Sequence, residues 1–228
     1  MKQYLASFQT LTKFERGLWL TSMAISIFSF LLSGGADYLN LIASLIGVTA
    51  LIFVAKGHVL GQLLTVLFAI FYGIISFFFH YYGEMITYLF MTAPMAIVAT
   101  ITWIKNPYKD SEEVKVSNVT KKQLLIMSLF SIIVTILFYF ILKICNTTNL
   151  LLSTISITTS FIASYLTYLR SPYYAIGYSA NDIVLIILWT LASMEDISYL
   201  PMIACFLMFL ANDLYGFYNW TKMQQRQE

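Results

Sequence analysis

The stretch YLPMIACFLMFLANDLYGFYNW, Tyr199 to Trp220, decides the fold. Rising about 1.5 Å per residue as a helix, it covers a bilayer's hydrocarbon core of roughly 30 Å. Its C-terminal half nevertheless carries Asn212, Asp213, Tyr215, Tyr218, Asn219 and Trp220. The last three suit the membrane–water interface, where amphipathic rings collect. Asn212 and Asp213 lie deeper. There an amide and a carboxylate cost free energy unless they face protein or a water-filled cavity, so both read as functional.

Outward from that segment the composition agrees. Of 228 residues, 59% are hydrophobic and 11% charged, against roughly 25% charged in soluble domains. Mean hydropathy is +0.77. The chain therefore reads as an all-α polytopic membrane protein, with the lipid bilayer as its surroundings. The net charge of +2 is no footprint for nucleic acid, because in membranes the placement of the positives is what counts. Cys145 and Cys205 sit in different apolar runs and read as reduced, packed thiols. His58 and His80 flank helix ends singly, without a ligand-type residue at i+3 or i+4, so neither a metal nor another cofactor is expected. No phosphate-cradling glycine loop and no nucleophile–base pair is present, which excludes the common enzyme classes.

Eight apolar runs follow one another: Gly17–Leu32, Tyr38–Ala55, Val59–Phe79, Met85–Ile104, Gln123–Cys145, Leu150–Leu169, Ala175–Leu191 and Tyr199–Asn219. Each is near spanning length. The first is expected to be retained, because Ser33-Gly-Gly-Ala-Asp37 is a poor cleavage site for a signal peptide. The hydrophilic stretch Lys105–Lys122 reads as a solvated midpoint linker, and Thr221–Glu228 as a polar tail. With Met1 inside, all the lysines and arginines except Lys143 fall in inside loops, twelve of thirteen. The positive-inside rule thus predicts both termini in the cytoplasm.

The chain also echoes itself. One helix ends at Lys56 and the next but one at Trp103; later a helix ends at Arg170 and the next but one at Trp220. The chain divides accordingly into an extra N-terminal helix (17–32), a three-helix repeat (38–104), a linker with a linker helix (105–145) and a second repeat (150–219). An odd number of helices per repeat inverts the second copy, and the linker helix restores its orientation. Such a parallel 3+1+3 arrangement places a substrate site between the halves. Pro94 is expected to break the helix that begins near Met85.

Tyr174, Tyr178 and Asn181 share one helical face, and Tyr178, Asp182 and Trp189 share a neighbouring stripe. An Asn-Asp pair thus occurs twice, at 181–182 and 212–213. Two readings compete: interhelical hydrogen bonds, or a cavity for a flat, hydroxylated ring compound, neutral or cationic. Intramembrane ionisable groups favour the cavity. The candidate substrate contacts are Gln62, Tyr88, Tyr178, Asn181, Asp182, Asn212 and Tyr215, with Trp189 as a stacking face. Glu84, near an outer helix end, reads as interfacial. Without an ATP-binding domain or an embedded charge relay, passive movement is the simplest mechanism.

Tyr82-Gly-Glu-Met85, Pro94-Met95 and Trp103, with Asn212-Asp-Leu-Tyr-Gly-Phe-Tyr-Asn-Trp220, resemble the PnuC family of bacterial vitamin transporters. The likeness runs from about Tyr38 to Lys222. It implies a fold like that of the SWEET sugar transporters and facilitated diffusion of a soluble vitamin, most often nicotinamide riboside. It also implies a cytosolic kinase that traps the substrate by phosphorylation, in a bacterial inner membrane. Other branches carry thiamine, riboflavin or deoxyribonucleosides. By position Asn181 resembles an Asn that ends a tryptophan stripe in nicotinamide riboside carriers. The stripe itself falls here on Tyr174 and Gly177 or Tyr178. Thr87 stands where many relatives have Asn, and Ala96 where many have Gln, so the substrate stays open among these vitamins. Parallel-repeat transporters can assemble as homotrimers, which no residue here specifies.

Overall fold

The computed structural model describes residues 8–32, 38–78, 82–109, 111–195 and 200–228. Eight long helices occur among them: α1 Lys13–Leu32, α2 Tyr38–Ala55, α3 Val59–Phe78, α4 Tyr82–Lys105, α5 Lys121–Ile144, α6 Leu150–Tyr168, α7 Tyr174–Glu195 and α8 Leu200–Gln227. Each apolar run of the sequence corresponds to one of them. Five, α3 to α7, are long and apolar enough to cross a membrane by length and composition. Several boundaries extend beyond expectation. α1 begins at Lys13 rather than Gly17, α4 at Tyr82 rather than Met85 and α5 at Lys121 rather than Gln123, while α7 continues to Glu195 and α8 through the expected polar tail to Gln227. Lys2, residues 33–37, His80 and Tyr199 lie outside the described residues.

Six helices close a ring: α2 packs on α3, α3 on α4, α4 on α6, α6 on α7, α7 on α8, and α8 back on α2. α1 lies outside the ring against α2 and α8. α5 lies outside it against α6, where its Phe138 and Leu142 meet Met91 of α4 and Ile157 and Phe161 of α6. Each outer helix therefore covers one of the two seams between residues 38–105 and residues 150–227. The rest of α5 turns Leu125, Leu129, Ile132, Ile136 and Phe140 outward, as a lipid-facing helix does.

Pro94 does not break α4. Residues Tyr88–Thr92 form a π turn in which the Ala93 N–H reaches back to the Tyr88 carbonyl. Proline lacks an N–H and crowds the carbonyl four residues earlier, and a wider turn accommodates both defects without ending the helix.

One end of the bundle gathers the N-terminus, the α2–α3 turn, the 105–120 linker, the α6–α7 turn and the end of α8. Lys56 Nζ reaches Glu15 at 3.2 Å and the Thr10 carbonyl at 2.9 Å. His58 Nε2 lies 2.6 Å from Glu112, and Arg226 pairs with Glu113. The linker is not simply solvated, as its composition suggests. The Val114 N–H donates to the Gly57 carbonyl at 2.9 Å, its carbonyl accepts from Gln227 at 3.1 Å, and its side chain is fully buried. Val114 joins a core cluster with Trp103, Tyr174 and Trp220, and Val116 and Val119 pack against it, so three valines anchor a polar segment.

Candidate functional site

The ring's interior is identified by groups that interact across it. α4 and α7 are not ring neighbours, yet Tyr88 of α4 feels Tyr178 and Asp182 of α7 electrostatically. Tyr88 lies in the π turn and packs edge-on against Tyr72, centroids 4.7 Å apart. The Tyr72 hydroxyl donates to Glu84 at 2.9 Å, and Glu84 in turn acts on Tyr88. Glu84, read from sequence as interfacial, thus belongs to a chain of polar groups leading inward.

On the facing side, the Asp182 and Asp213 carboxyls come together across α7 and α8, and both residues are 4% exposed. Tyr178 shares a 2.9 Å hydrogen bond with Ser164 of α6, and its ring packs edge-on against Tyr174. Close helix contact at this level depends on Gly177, where a Cβ would stand 2.9 Å from the Ala163 backbone.

Below this cluster the ring is shut by two tryptophans. Trp103 of α4 and Trp220 of α8 are fully buried, with ring centroids 5.2 Å apart. Tyr174 packs edge-on beneath Trp220 at 4.9 Å. At the same end of the bundle a cavity of about 780 Å³ opens beside the start of α1, lined in part by Glu15, Lys56, His58, Tyr215, Lys222 and Arg226. Burial pushes the Glu15 carboxyl up, but the Thr12 backbone N–H, the Tyr215 hydroxyl and the Lys56 ammonium outweigh it and hold the carboxyl below the ordinary glutamate range.

The predicted site residues therefore separate. Tyr88, Tyr178 and Asp182 come together in the interior. Asn181 is nearby but its Oδ1 accepts from Ser156 at 2.9 Å and Thr159 at 3.0 Å, tying α7 to α6. Trp189 lies two turns further along α7, half-buried. Gln62 is buried on the first turn of α3. Asn212 and Tyr215 face outward to α1: Asn212 Nδ2 donates to Ser22 at 3.0 Å and the Tyr215 hydroxyl to Glu15 at 2.8 Å. Asp213, not Asn212, is the α8 residue of the interior. Tyr174 and Glu84 were also missed as site residues; a buried tyrosine beside a tryptophan reads as core from sequence. Among the described residues no three His, Cys, Asp or Glu side chains gather as a metal-holding group.

Comparison with known proteins fits this arrangement. The family model described as nicotinamide mononucleotide transporter matches residues 37–222. The chain is 27% identical to the nicotinamide riboside transporter PnuC of Neisseria mucosa, over 94% of this chain and 83% of that protein. It is 24% identical to the protein of the same name from Haemophilus influenzae, over 92% and 90%. A crystal structure of the vitamin B3 transporter PnuC superposes with a TM-score of 0.80 at 26% identity, covering 96% of this chain and 94% of that one.

Proposed function

This chain belongs to the nicotinamide mononucleotide transporter family, and from that premise we propose that it carries nicotinamide riboside across the membrane by facilitated diffusion. It is a multi-pass membrane protein and a transporter rather than an enzyme. The observation that carries the substrate reading is the tyrosine-rich polar cluster inside the ring, where Tyr88 of α4 comes within electrostatic reach of Tyr178 and Asp182 of α7. Tyrosine faces suit a flat ring, and their hydroxyls with Asn181 suit a ribose. Gln62 and Trp189 are further contacts, while Asn212 and Tyr215 hold α8 against α1.

All eight helices span a bacterial inner membrane in this reading, with both termini and the cavity of about 780 Å³ on the cytoplasmic side. The two halves, 38–104 and 150–219, form parallel repeats that rock about the site. Trp103 and Trp220 close the cytoplasmic route in the present conformation. No coupling ion is needed, because a cytosolic kinase keeps the internal concentration low by phosphorylation. The tyrosines in place of a tryptophan stripe favour one second reading, the same mechanism serving thiamine or another vitamin of that size.

Purified protein in liposomes, without ATP or any ion gradient, tests this. Labelled nicotinamide riboside should equilibrate across the bilayer and exchange in both directions. Accumulation above the external concentration under those conditions, or no entry at all, would overturn it.

A further inference from the structure

Asp182 and Asp213 form an intramembrane carboxyl pair with no compensating cation. The charges acting on them are each other's, and no lysine, arginine or histidine among the described residues contributes. When the pair shares one proton it carries a single negative charge. A buried charge without a partner is expensive, and in membranes such a group marks a ligand pathway.

A second, independent observation lies beside it. The Tyr174 hydroxyl is buried, with its residue 1% exposed, and has no hydrogen-bond partner. It sits 2.8 Å from where a Cβ on Gly216 would stand, one turn along α8 from Asp213. Asp182 Oδ2 likewise accepts from no N–H or hydroxyl among the described residues. Two carboxyls without a cation, an orphaned donor and an orphaned acceptor thus lie close together, with the rings of Tyr88, Tyr174 and Tyr178 around them. Two carboxyls are fewer ligands than a divalent cation takes. Aromatic walls instead suit a broad, weakly hydrated organic cation.

The geometry points to the Asp182–Asp213 pair as the counter-charge that selects a singly cationic, N-substituted aromatic ring over neutral molecules of the same shape. This rests on the transporter reading above, and it makes charge rather than outline the discriminating property.

The test is titration calorimetry of the full chain with nicotinamide riboside and with benzamide riboside, its carbon-linked neutral isostere. The wild type should prefer the cation by at least tenfold. Asp182→Asn keeps one carboxylate and should keep the preference; Asp182→Asn with Asp213→Asn removes the charge and should bind the two ligands within about twofold of each other. Equal binding of both ligands by the wild type overturns the inference and leaves transport standing. A double variant that is folded, judged by its melting temperature, and retains the wild-type ratio overturns it as well. If the double variant does not fold, the wild-type ratio alone decides. Binding of thiamine in place of nicotinamide riboside, with riboflavin and deoxynucleosides ignored, would overturn the substrate proposed above; the counter-charge then stands if the folded double variant loses thiamine and is overturned if it keeps it.

Discussion

The α2–α3 turn and the α6–α7 turn solve one problem with different residues. In the first, the Gly57 N–H donates to the Val54 carbonyl and the His58 N–H to the Phe53 carbonyl. In the second, the Arg170 N–H donates to the Thr167 carbonyl and the Ser171 N–H to the Leu166 carbonyl. The bonds match one for one, and each turn holds a left-handed residue, Gly57 at φ 69° and Arg170 at φ 58°. The tryptophans then cross over. Trp103 Nε1 donates to the Thr167 carbonyl at 3.0 Å and Trp220 Nε1 to the Val54 carbonyl at 2.9 Å, so each half caps the matching carbonyl of the other. Equal hydrogen bonding does not require equal sequence. It requires a turn that exposes one carbonyl and a ring N–H at the right distance along the third helix.

Breaking the crossed caps is the largest expected perturbation. Trp103→Ala or Trp220→Ala should each lower stability by about 3–5 kcal/mol, since each removes a fully buried aromatic ring. Because the rings touch, the double variant should lose less than the sum, as measured by melting of the detergent-solubilised protein. Additive losses would show two independent caps instead of one latch.

The turns should respond unequally to substitution. Gly57→Ala forces a Cβ into the left-handed region and should cost about 1–2 kcal/mol. Arg170→Gly relieves that strain while adding unfolded-state entropy, and should change stability by less than about 0.5 kcal/mol. Thermal shifts of the two variants check the asymmetry.

The smallest effect concerns the clasp that only the first turn possesses, Lys56 to Glu15. The folded Glu15 carboxyl is held below its ordinary range, so its contribution is present above the unfolded value and lost as pH falls through the folded value. The melting temperature of Glu15→Gln should therefore lie below wild type at neutral pH, with the difference vanishing on acidification. A difference that persists in acid would assign Glu15 a role independent of its charge.

Much of this architecture is legible in the sequence, because hydropathy and length mark helices without any tertiary knowledge. The eight runs emerged, as did the echo of Lys56–Trp103 in Arg170–Trp220. Facing is harder. Asn181 and Asp182, like Asn212 and Asp213, are consecutive, so each pair's members point about 100° apart on a helix. Periodicity cannot say which member turns inward when both are polar. In both pairs the carboxyl turns to the ring's interior and the amide binds a neighbouring helix. The linker misled for a related reason: Val114, Val116 and Val119 are scattered among polar residues, and their burial depends on distant helix ends coming together.

The π turn at Tyr88–Thr92 has a consequence for how α4 tolerates change. It acts as one surplus residue wound into the helix, so everything on its Tyr82 side is phased about 100° from where an unbroken helix would set it relative to Trp103. Glu84 owes its aim to that offset. Along α4, losing a single residue within the turn would swing Glu84 off its Tyr72 partner while leaving every side chain chemically intact. Here the length of the chain, as much as the identity of its residues, encodes the lining.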